Sequence, residues 1–156
     1  LERGLPADAP VAVLLDRGPD LLVSLLAIQK AGLAYLPLEP AQPDRRLAEL
    51  VALAAPLLAI SRTSLRARLP ATLPVLDLDR DGPPAGAPAE PRRPAPPSTI
   101  AYIKFTSGSA GRPKPVAVSH ANLAGLFDGI TEALALGPAD AWSWFHSPAF
   151  GFAAWE

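Results

Sequence analysis

The chain contains no cysteine and no methionine, only two histidines, and a formal net charge of −1 over 156 residues. Without cysteine, neither a disulfide framework nor a thiolate metal site can form. With this low net charge, the sequence lacks the excess of basic residues that is typical of nucleic-acid-binding proteins. No apolar run approaches the ~20 residues that a membrane-spanning helix needs. The first residues lack the basic and apolar regions of a signal peptide. We therefore expect a cytoplasmic protein that binds neither nucleic acid nor membrane.

The most informative stretch is IAYIKFTSGSAGRPKPVAVSH, residues 100–120. Apolar segments at residues 100–106 and 116–118 predict two strands, and small residues with hydroxyl groups separate them. Glycines leave backbone N–H groups uncovered, and successive N–H groups in such a loop form a concave anion site. Lys114 adds a positive charge, so the loop has the chemistry that a polyphosphate needs. It is not a Walker A motif, because Pro115 replaces the required Ser or Thr, and an ordinary turn is the alternative interpretation.

Strand and helix patterns alternate along the rest of the chain. The periodicity predicts strands at residues 11–15, 34–38, 57–60, 75–78 and 142–146, and helices at residues 19–30, 43–54, 63–69 and after Ser119. The helix at 19–30 is apolar almost all round, which predicts that it is largely buried. This alternation indicates an α/β fold, with a mainly parallel sheet and helices on its faces. Ligands of such sheets bind outside the carboxyl ends of the strands.

A proline-rich segment, residues 79–98, interrupts this alternation. Repeated prolines cannot supply the N–H groups of a sheet ladder, so we expect an extended surface connection. The segment separates the first βα units from the unit that contains the glycine-rich loop.

Three motifs in the sequence together resemble a known family. TSGSAGRPKPV, residues 106–116, is similar to the phosphate-binding loop of the adenylate-forming superfamily, usually written TSGSTGxPKGV. IQKAGLAYLPLEPAQPDRR (28–46) and WFHSPAFGFAAWE (144–156) resemble segments of one branch, the adenylation domains of nonribosomal peptide synthetases. The resemblance implies that residues 1–156 are part of the large N-terminal subdomain of such an enzyme. We expect truncation at both ends, because the chain has no methionine and Glu156 falls within a motif.

The resemblance implies a reaction and its cofactors. Family members use ATP with Mg²⁺ to activate a carboxylic acid as an acyl-adenylate, releasing pyrophosphate, and load it onto the phosphopantetheine thiol of a carrier protein. The residues implied to bind the ATP phosphates are Thr106, Ser107, Gly108, Ser109, Gly111 and Lys114. The family's metal ligand and C-terminal catalytic lysine lie outside this sequence, so we expect no catalytic or metal-binding residue within it and no activity from it alone. Ala110 and Pro115 depart from the motif, which removes a hydroxyl and a backbone N–H.

The last motif implies an acyl-substrate pocket formed by Phe150, Gly151, Phe152 and Trp155. Gly151 stands where the family carries the aspartate that pairs with the ammonium group of an amino acid. A buried ammonium without a carboxylate is uncompensated, at a cost on the order of 3–5 kcal/mol. We therefore expect an α-hydroxy, α-keto, aryl or β-amino acid rather than a standard α-amino acid. The alternatives are an inactive copy and a different carboxylate that supplies the charge.

Two other interpretations of the sequence remain open. A stand-alone acyl-CoA or aryl-acid ligase would share the first half-reaction without an adjacent carrier domain. A catalytically degenerate copy, retained as a non-enzymatic interaction module, has some support from the departures at Ala110, Pro115 and Gly151, although the adenylation domain is the favoured interpretation. We expect His120 and His146 to be structural, since no carboxylate in the pattern orients either, although His146 lies in the motif that borders the acyl pocket.

Overall fold

The computed structural model describes residues 5–82, 96–107 and 112–154, apart from the side chains of Glu132 and Phe152. Strands and helices alternate through this part of the chain. The strands are β1 (Pro10–Leu14), β2 (Ala34–Leu38), β3 (Leu58–Ser61), β4 (Val75–Asp77), β5 (Ile100–Ser107) and β6 (Pro113–Ser119). The helices are α1 (Pro19–Lys30), α2 (Asp44–Ala54) and α3 (His120–Leu134), with short 3₁₀ turns at Arg66–Arg68 and Gly151–Ala154.

The strands form one six-stranded sheet in the order β4-β3-β1-β2-β5-β6. Every neighbouring pair is parallel except β5 and β6, which are antiparallel. The predicted α/β fold with a mainly parallel sheet is therefore confirmed. The chain leaves β4 at one edge of the sheet and returns as β5 beside β2. Because β4 and β5 are four positions apart in the sheet, the connection spans about 19 Å, at ~4.8 Å between neighbouring strands. Most of the proline-rich segment that makes this connection, residues 83–95, lies outside the described residues.

Each face of the sheet has its own apolar core. One face packs Val11, Val13 and Tyr35 against α1, and the other packs Leu14, Leu36 and Leu38 against α2. The central strands are buried on both faces, which is why they read as continuous apolar runs rather than alternating ones. Tyr102 of β5 stacks on Tyr35 of β2 with ring centroids 5.3 Å apart, which ties the second half of the sheet to the first.

Two local predictions are wrong, each for a physical reason. Helix α1 is not buried all round: Leu22, Val23 and Leu26 are exposed, because only one face of a single helix can contact the sheet. Residues 142–146 form no strand, because the carbonyl oxygens of Trp144, Phe145 and His146 accept hydrogen bonds from a side chain instead of a ladder.

The C-terminal end of α1 and the N-terminal end of α3 are each capped. Gly32 follows α1 with φ of 69°, a left-handed conformation that glycine adopts without a steric penalty. Ser119 caps α3, since its Oγ accepts from the N–H of Asn122 at 3.2 Å and the Asn122 side chain accepts from the Ser119 N–H. None of the helices in the described ranges is long and apolar enough to cross a membrane.

Candidate functional site

The β5–β6 hairpin presents part of the predicted phosphate loop. Thr106 and Lys114 are direct partners in the antiparallel register, so their side chains lie on the same face of the ribbon. Ser107 pairs with Pro113 on the opposite face, and Thr106, Ser107 and Lys114 are all exposed. Gly108, Ser109 and Gly111, together with Ala110, lie outside the described residues.

Pro115 is accommodated by its position in the sheet. Pro115 lies on β6 and pairs with Phe105 of β5, and β6 has a strand on only one side within the described part of the sheet. Proline is tolerated on such a strand when the missing N–H would face away from the ladder. The departure from the family's glycine is therefore compatible with the hairpin.

A cavity of about 460 Å³ opens at the carboxyl ends of β2 and β5. Small-molecule sites commonly have volumes of ~300–1,000 Å³, and the carboxyl edge of a parallel sheet is where ligands bind. The lining comes from the end of β2, from α2, from β5 and from the segment at residues 146–150. Its members are Pro37, Glu39, Gln42, Arg46, Leu50, Lys104, Phe105, His146, Ser147, Ala149 and Phe150.

The predicted acyl-pocket residues lie at this cavity to different degrees. Phe150 lines it and stacks on the ring of His146, with centroids 5.5 Å apart. Gly151 begins the 3₁₀ turn that follows directly. The side chain of Phe152 and the whole of Trp155 fall outside the described residues. His146, which the sequence analysis expects to be structural, lines the same cavity as Phe150.

Arg17, which the sequence reasoning missed, holds the segment that carries these residues. It follows β1 at the carboxyl edge of the sheet, and its guanidinium donates to the carbonyl oxygens of Trp144, Phe145 and His146. Its carbon Cζ also lies 5.6 Å from the centroid of the Trp144 ring, a cation–π distance. A charged residue just after a buried strand was the signal available in the sequence, but nothing there showed which distant segment it contacts.

We predict that Arg17→Met loosens this segment. Each lost hydrogen bond contributes about 0.5–1.5 kcal/mol, less at an exposed site, so amide exchange at residues 144–150 is expected to rise several-fold. Hydrogen–deuterium exchange resolved by peptide measures this local opening. Arg45→Met is a matched control, because Arg45 is an exposed arginine on α2. Equal exchange of residues 144–150 in both variants would show that Arg17 does not hold the segment.

Lys104, also missed, is a charged residue in an otherwise apolar strand segment and lines the cavity. It lies two residues before Thr106, so both side chains are on one face of β5, roughly 7 Å apart along the strand. Lys104, Thr106 and Lys114 therefore share one face of the hairpin. The cavity and the phosphate-loop residues are neighbours on that face.

Three titratable side chains of the sheet, those of Tyr35, Tyr102 and Asp77, have shifted pKa values. Burial raises the pKa of both Tyr35 and Tyr102, so the two stacked rings remain neutral phenols at physiological pH. At the far edge of the sheet, the hydroxyl of Thr63 donates to Asp77 at 2.7 Å and lowers the pKa of that carboxyl group. Within the described ranges, no three His, Cys, Asp or Glu side chains are grouped so as to hold a metal ion.

The described residues thus form an α/β domain with a mainly parallel sheet, a hairpin that carries Thr106, Ser107 and Lys114, and a cavity at the carboxyl edge of the sheet. The family model described as AMP-binding enzyme matches residues 1–156. The chain therefore belongs to the AMP-binding enzyme family, and the resemblance noted from the sequence is confirmed.

Similar curated proteins are nonribosomal peptide synthetases. The chain is 35% identical over 167 aligned residues to the dimodular nonribosomal peptide synthase of Bacillus subtilis (strain 168), covering 100% of this chain and 7% of that protein. It is 38% identical over 157 aligned residues to syringomycin synthase SyrB1 of Pseudomonas syringae pv. syringae, covering 99% of this chain and 25% of that protein. The chain thus spans a quarter or less of these relatives.

Solved structures agree with this assignment. The nonribosomal peptide synthetase FmoA3 in its AMPPNP-bound form superposes with a TM-score of 0.86 and 30% identity, covering 99% of this chain and 16% of that one. The N-terminal subdomain of Klebsiella oxytoca NpsA, in complex with 3-hydroxyanthranilyl-AMSN, superposes with a TM-score of 0.77 and 25% identity. That match covers 98% of this chain and 38% of the NpsA chain.

Proposed function

We propose that the protein containing this chain activates a carboxylic acid with ATP, forming an acyl-adenylate and releasing pyrophosphate. The observation that carries the proposal is the β5–β6 hairpin: it bears the family's loop and places Thr106 opposite Lys114 beside a cavity of about 460 Å³. The 38% coverage of the NpsA subdomain supports residues 1–156 being part of an N-terminal adenylation subdomain.

In this proposal the loop binds the β- and γ-phosphates of ATP. The carboxylate oxygen of the acid attacks the α-phosphorus, the bond from that phosphorus to the bridging oxygen breaks, and pyrophosphate leaves with the electron pair. Protein groups contribute chiefly positioning and charge neutralisation to such a reaction. Lys114 supplies a positive charge and Thr106 and Ser107 supply hydroxyl donors. Gly108, Ser109 and Gly111 would supply uncovered backbone N–H groups.

Magnesium enters this proposal with the nucleotide. The exposed hydroxyls and the ammonium on the hairpin suit phosphate oxygens rather than a metal ion, which prefers carboxylate and carbonyl oxygens. We propose that Mg²⁺ would be held by the phosphates together with residues beyond this part of the chain, where it would neutralise phosphate charge.

The acid occupies the cavity beside Phe150 in this proposal, and it is not a standard α-amino acid because Gly151 offers no carboxylate. We further propose that Phe152 and Trp155 complete the pocket. The acyl group then passes to the phosphopantetheine thiol of a carrier protein, a partner that the similarity to peptide synthetases supports.

ATP–pyrophosphate exchange across a panel of acids tests the proposal, using the protein with its complete adenylation domain. Exchange with at least one acid outside the proteinogenic set, and no better exchange with any proteinogenic α-amino acid, is expected. Strict preference for a proteinogenic amino acid would refute the substrate class. No exchange with any acid and no ATP binding would favour the degenerate, non-enzymatic reading instead.

A stand-alone aryl-acid ligase is the second candidate. The NpsA subdomain, with a TM-score of 0.77, is in complex with an aryl-adenylate analogue, which makes an aryl acid a reasonable member of the panel. Transfer of the activated acyl group to coenzyme A rather than to a carrier protein would favour this candidate.

A further inference from the structure

Lys104 places a positive charge in the cavity and forms no ion pair with a described carboxylate. Its side chain is half-buried and lines the cavity. The ion pairs formed by the described residues join Arg46 with Glu49, Arg62 with Asp20 and Asp79, and Arg68 with Asp44, so none includes Lys104. An oxygen acceptor on a ligand in the cavity can form a charge-assisted hydrogen bond with this ammonium.

The backbone of Gly151 makes room for this ammonium. A Cβ atom at position 151 would lie 2.6 Å from Nζ of Lys104, 3.7 Å from Cε and 3.9 Å from Cδ. The first distance is shorter than real Cβ contacts, so a side chain at position 151 would require the flexible end of the Lys104 side chain to move. The φ of Gly151 is not in the left-handed region, so the backbone conformation does not itself require glycine at this position.

The two residues therefore act as a pair. In most settings an aspartate opposite a lysine would form an ion pair, but here the position facing Nζ has no side chain at all. The absence of a carboxylate at position 151 and the presence of the Lys104 ammonium both make the electrostatic potential in the cavity more positive. A bound ammonium group near Lys104 would experience repulsion that weakens its binding, whereas a keto or hydroxyl oxygen could accept a hydrogen bond from Nζ.

Glu39 is the competing charge in this cavity. Its carboxylate also lines the cavity and accepts from the Nε2 of Gln42 at 3.4 Å. Glu39 lies beyond the end of β2, on the wall formed with α2, and it forms no ion pair with Lys104. An amino acid could be accepted only if its ammonium reached Glu39 instead of the space beside Gly151.

We propose that Lys104 is a specificity-determining residue, which selects a carboxylic acid bearing a keto or hydroxyl oxygen on its α-carbon. This inference rests on the proposed activation of an acid at this cavity and narrows its substrate class. It favours α-keto and α-hydroxy acids over β-amino acids, whose ammonium would meet the same positive charge. Lys104 binds the α-oxygen, and Gly151 leaves the space that the ammonium of Lys104 occupies.

The test compares acids that share one carbon skeleton and differ only at the α-substituent: keto, hydroxyl or amino. Both ATP–pyrophosphate exchange and direct calorimetric binding of the acids are measured in the protein with its complete adenylation domain. The wild-type protein is expected to favour the keto or hydroxy acid over the amino acid by on the order of tenfold or more. Preference of the wild-type protein for the amino acid would overturn the proposal. If the Glu39→Gln variant then lost this preference, Glu39 would be the carboxylate that binds the ammonium group of the acid.

Variants separate the role of Lys104 from a merely structural one. Lys104→Met is expected to weaken binding of the oxygen-bearing acid about tenfold, while Lys30→Met, at the exposed end of α1, leaves it unchanged. Gly151→Asp is expected to lower oxygen-acid binding, because its carboxylate would pair with Lys104. The double variant Lys104→Met, Gly151→Asp is expected to shift the preference towards the amino acid.

The two readouts keep this inference distinct from the proposed function. If no acid supports exchange but Lys104→Met still lowers acid binding, the adenylation proposal fails and the role of Lys104 stands. If exchange occurs but Lys104→Met leaves the keto-to-amino preference unchanged, adenylation stands and the role of Lys104 is refuted. Binding that does not differ between wild type and Lys104→Met refutes it even when exchange is absent.

Discussion

Replacing Lys114 with alanine is expected to lower the rate of ATP–pyrophosphate exchange by about 10²–10³-fold, the loss seen when one preorganised charge-stabilising donor is removed. Lys114 is exposed and directly opposite Thr106, and it forms no ion pair with the described carboxylates. Its charge is therefore available to a ligand rather than committed to the fold. Because phosphate charge develops during the reaction, the loss is expected mainly in kcat, with a smaller change in the KM for ATP.

Lys30→Ala is the matched control for this experiment. Lys30 is an exposed lysine in the last turn of α1, so its loss removes the same charge from the molecule without touching the hairpin. Lys114→Arg is expected to recover part of the rate, since it keeps the charge but changes the geometry of the donors. A Lys114→Ala rate within about threefold of the control would contradict phosphate binding by this residue.

The largest effect on stability is expected from Leu47→Ala, which removes a fully buried side chain of α2. Leu47 is 0% exposed and packs in the core that contains Leu36, Leu38 and Ile103. Truncating a buried leucine to alanine costs about 2–5 kcal/mol, because burial is lost and a cavity remains. That is a large share of the ~5–15 kcal/mol by which domains are typically stable. Urea unfolding followed by pulse proteolysis of the chain measures the change.

Leu53→Ala on the same helix is the control, since Leu53 is 48% exposed. In the Leu53→Ala variant, the free energy of unfolding of the chain is expected to change by only about 0.5 kcal/mol. Arg46 and Leu50 of α2 line the cavity, so Leu47→Ala is also expected to weaken acid binding by loosening that wall. Equal destabilisation by the two variants would show that α2 is not held by the buried face described here.

The first four strands were predictable because their signal is local, whereas the strand predicted at residues 142–146 is absent from the structure. Strand β2 lies at the predicted residues, and β1 and β3 differ by one residue, since buried parallel strands are short apolar runs between turn residues. The order of strands in the sheet was not predictable in the same way. The return of the chain from β4 to the side of β2 depends on long-range packing, which no window of sequence reports.

The residues of the candidate site that belong to a sequence motif were predicted, and those outside the motifs were not. The motif predicted Thr106 and Lys114, and the structure places them opposite each other; their role in binding phosphate stays a prediction. Arg17 was missed because its partners are 127 to 129 positions away. Lys104 was missed because a single charge within a strand resembles ordinary alternation, and only the neighbouring Gly151 shows where its ammonium lies.

The path of the chain from β4 to β5 also has a consequence for biosynthesis. Strands β1 to β4 and helices α1 and α2 are complete by residue 77, before β5 begins at residue 100. During translation at ~5–20 residues per second, the first four strands can associate while the second half is still being made. Arg17 waits for residues 144–146, so the cavity is the last part of this chain to assemble. A product that ends between residues 77 and 100 would contain four of the six strands and the α2 wall of the cavity, but neither the β5–β6 hairpin nor the segment at residues 146–150.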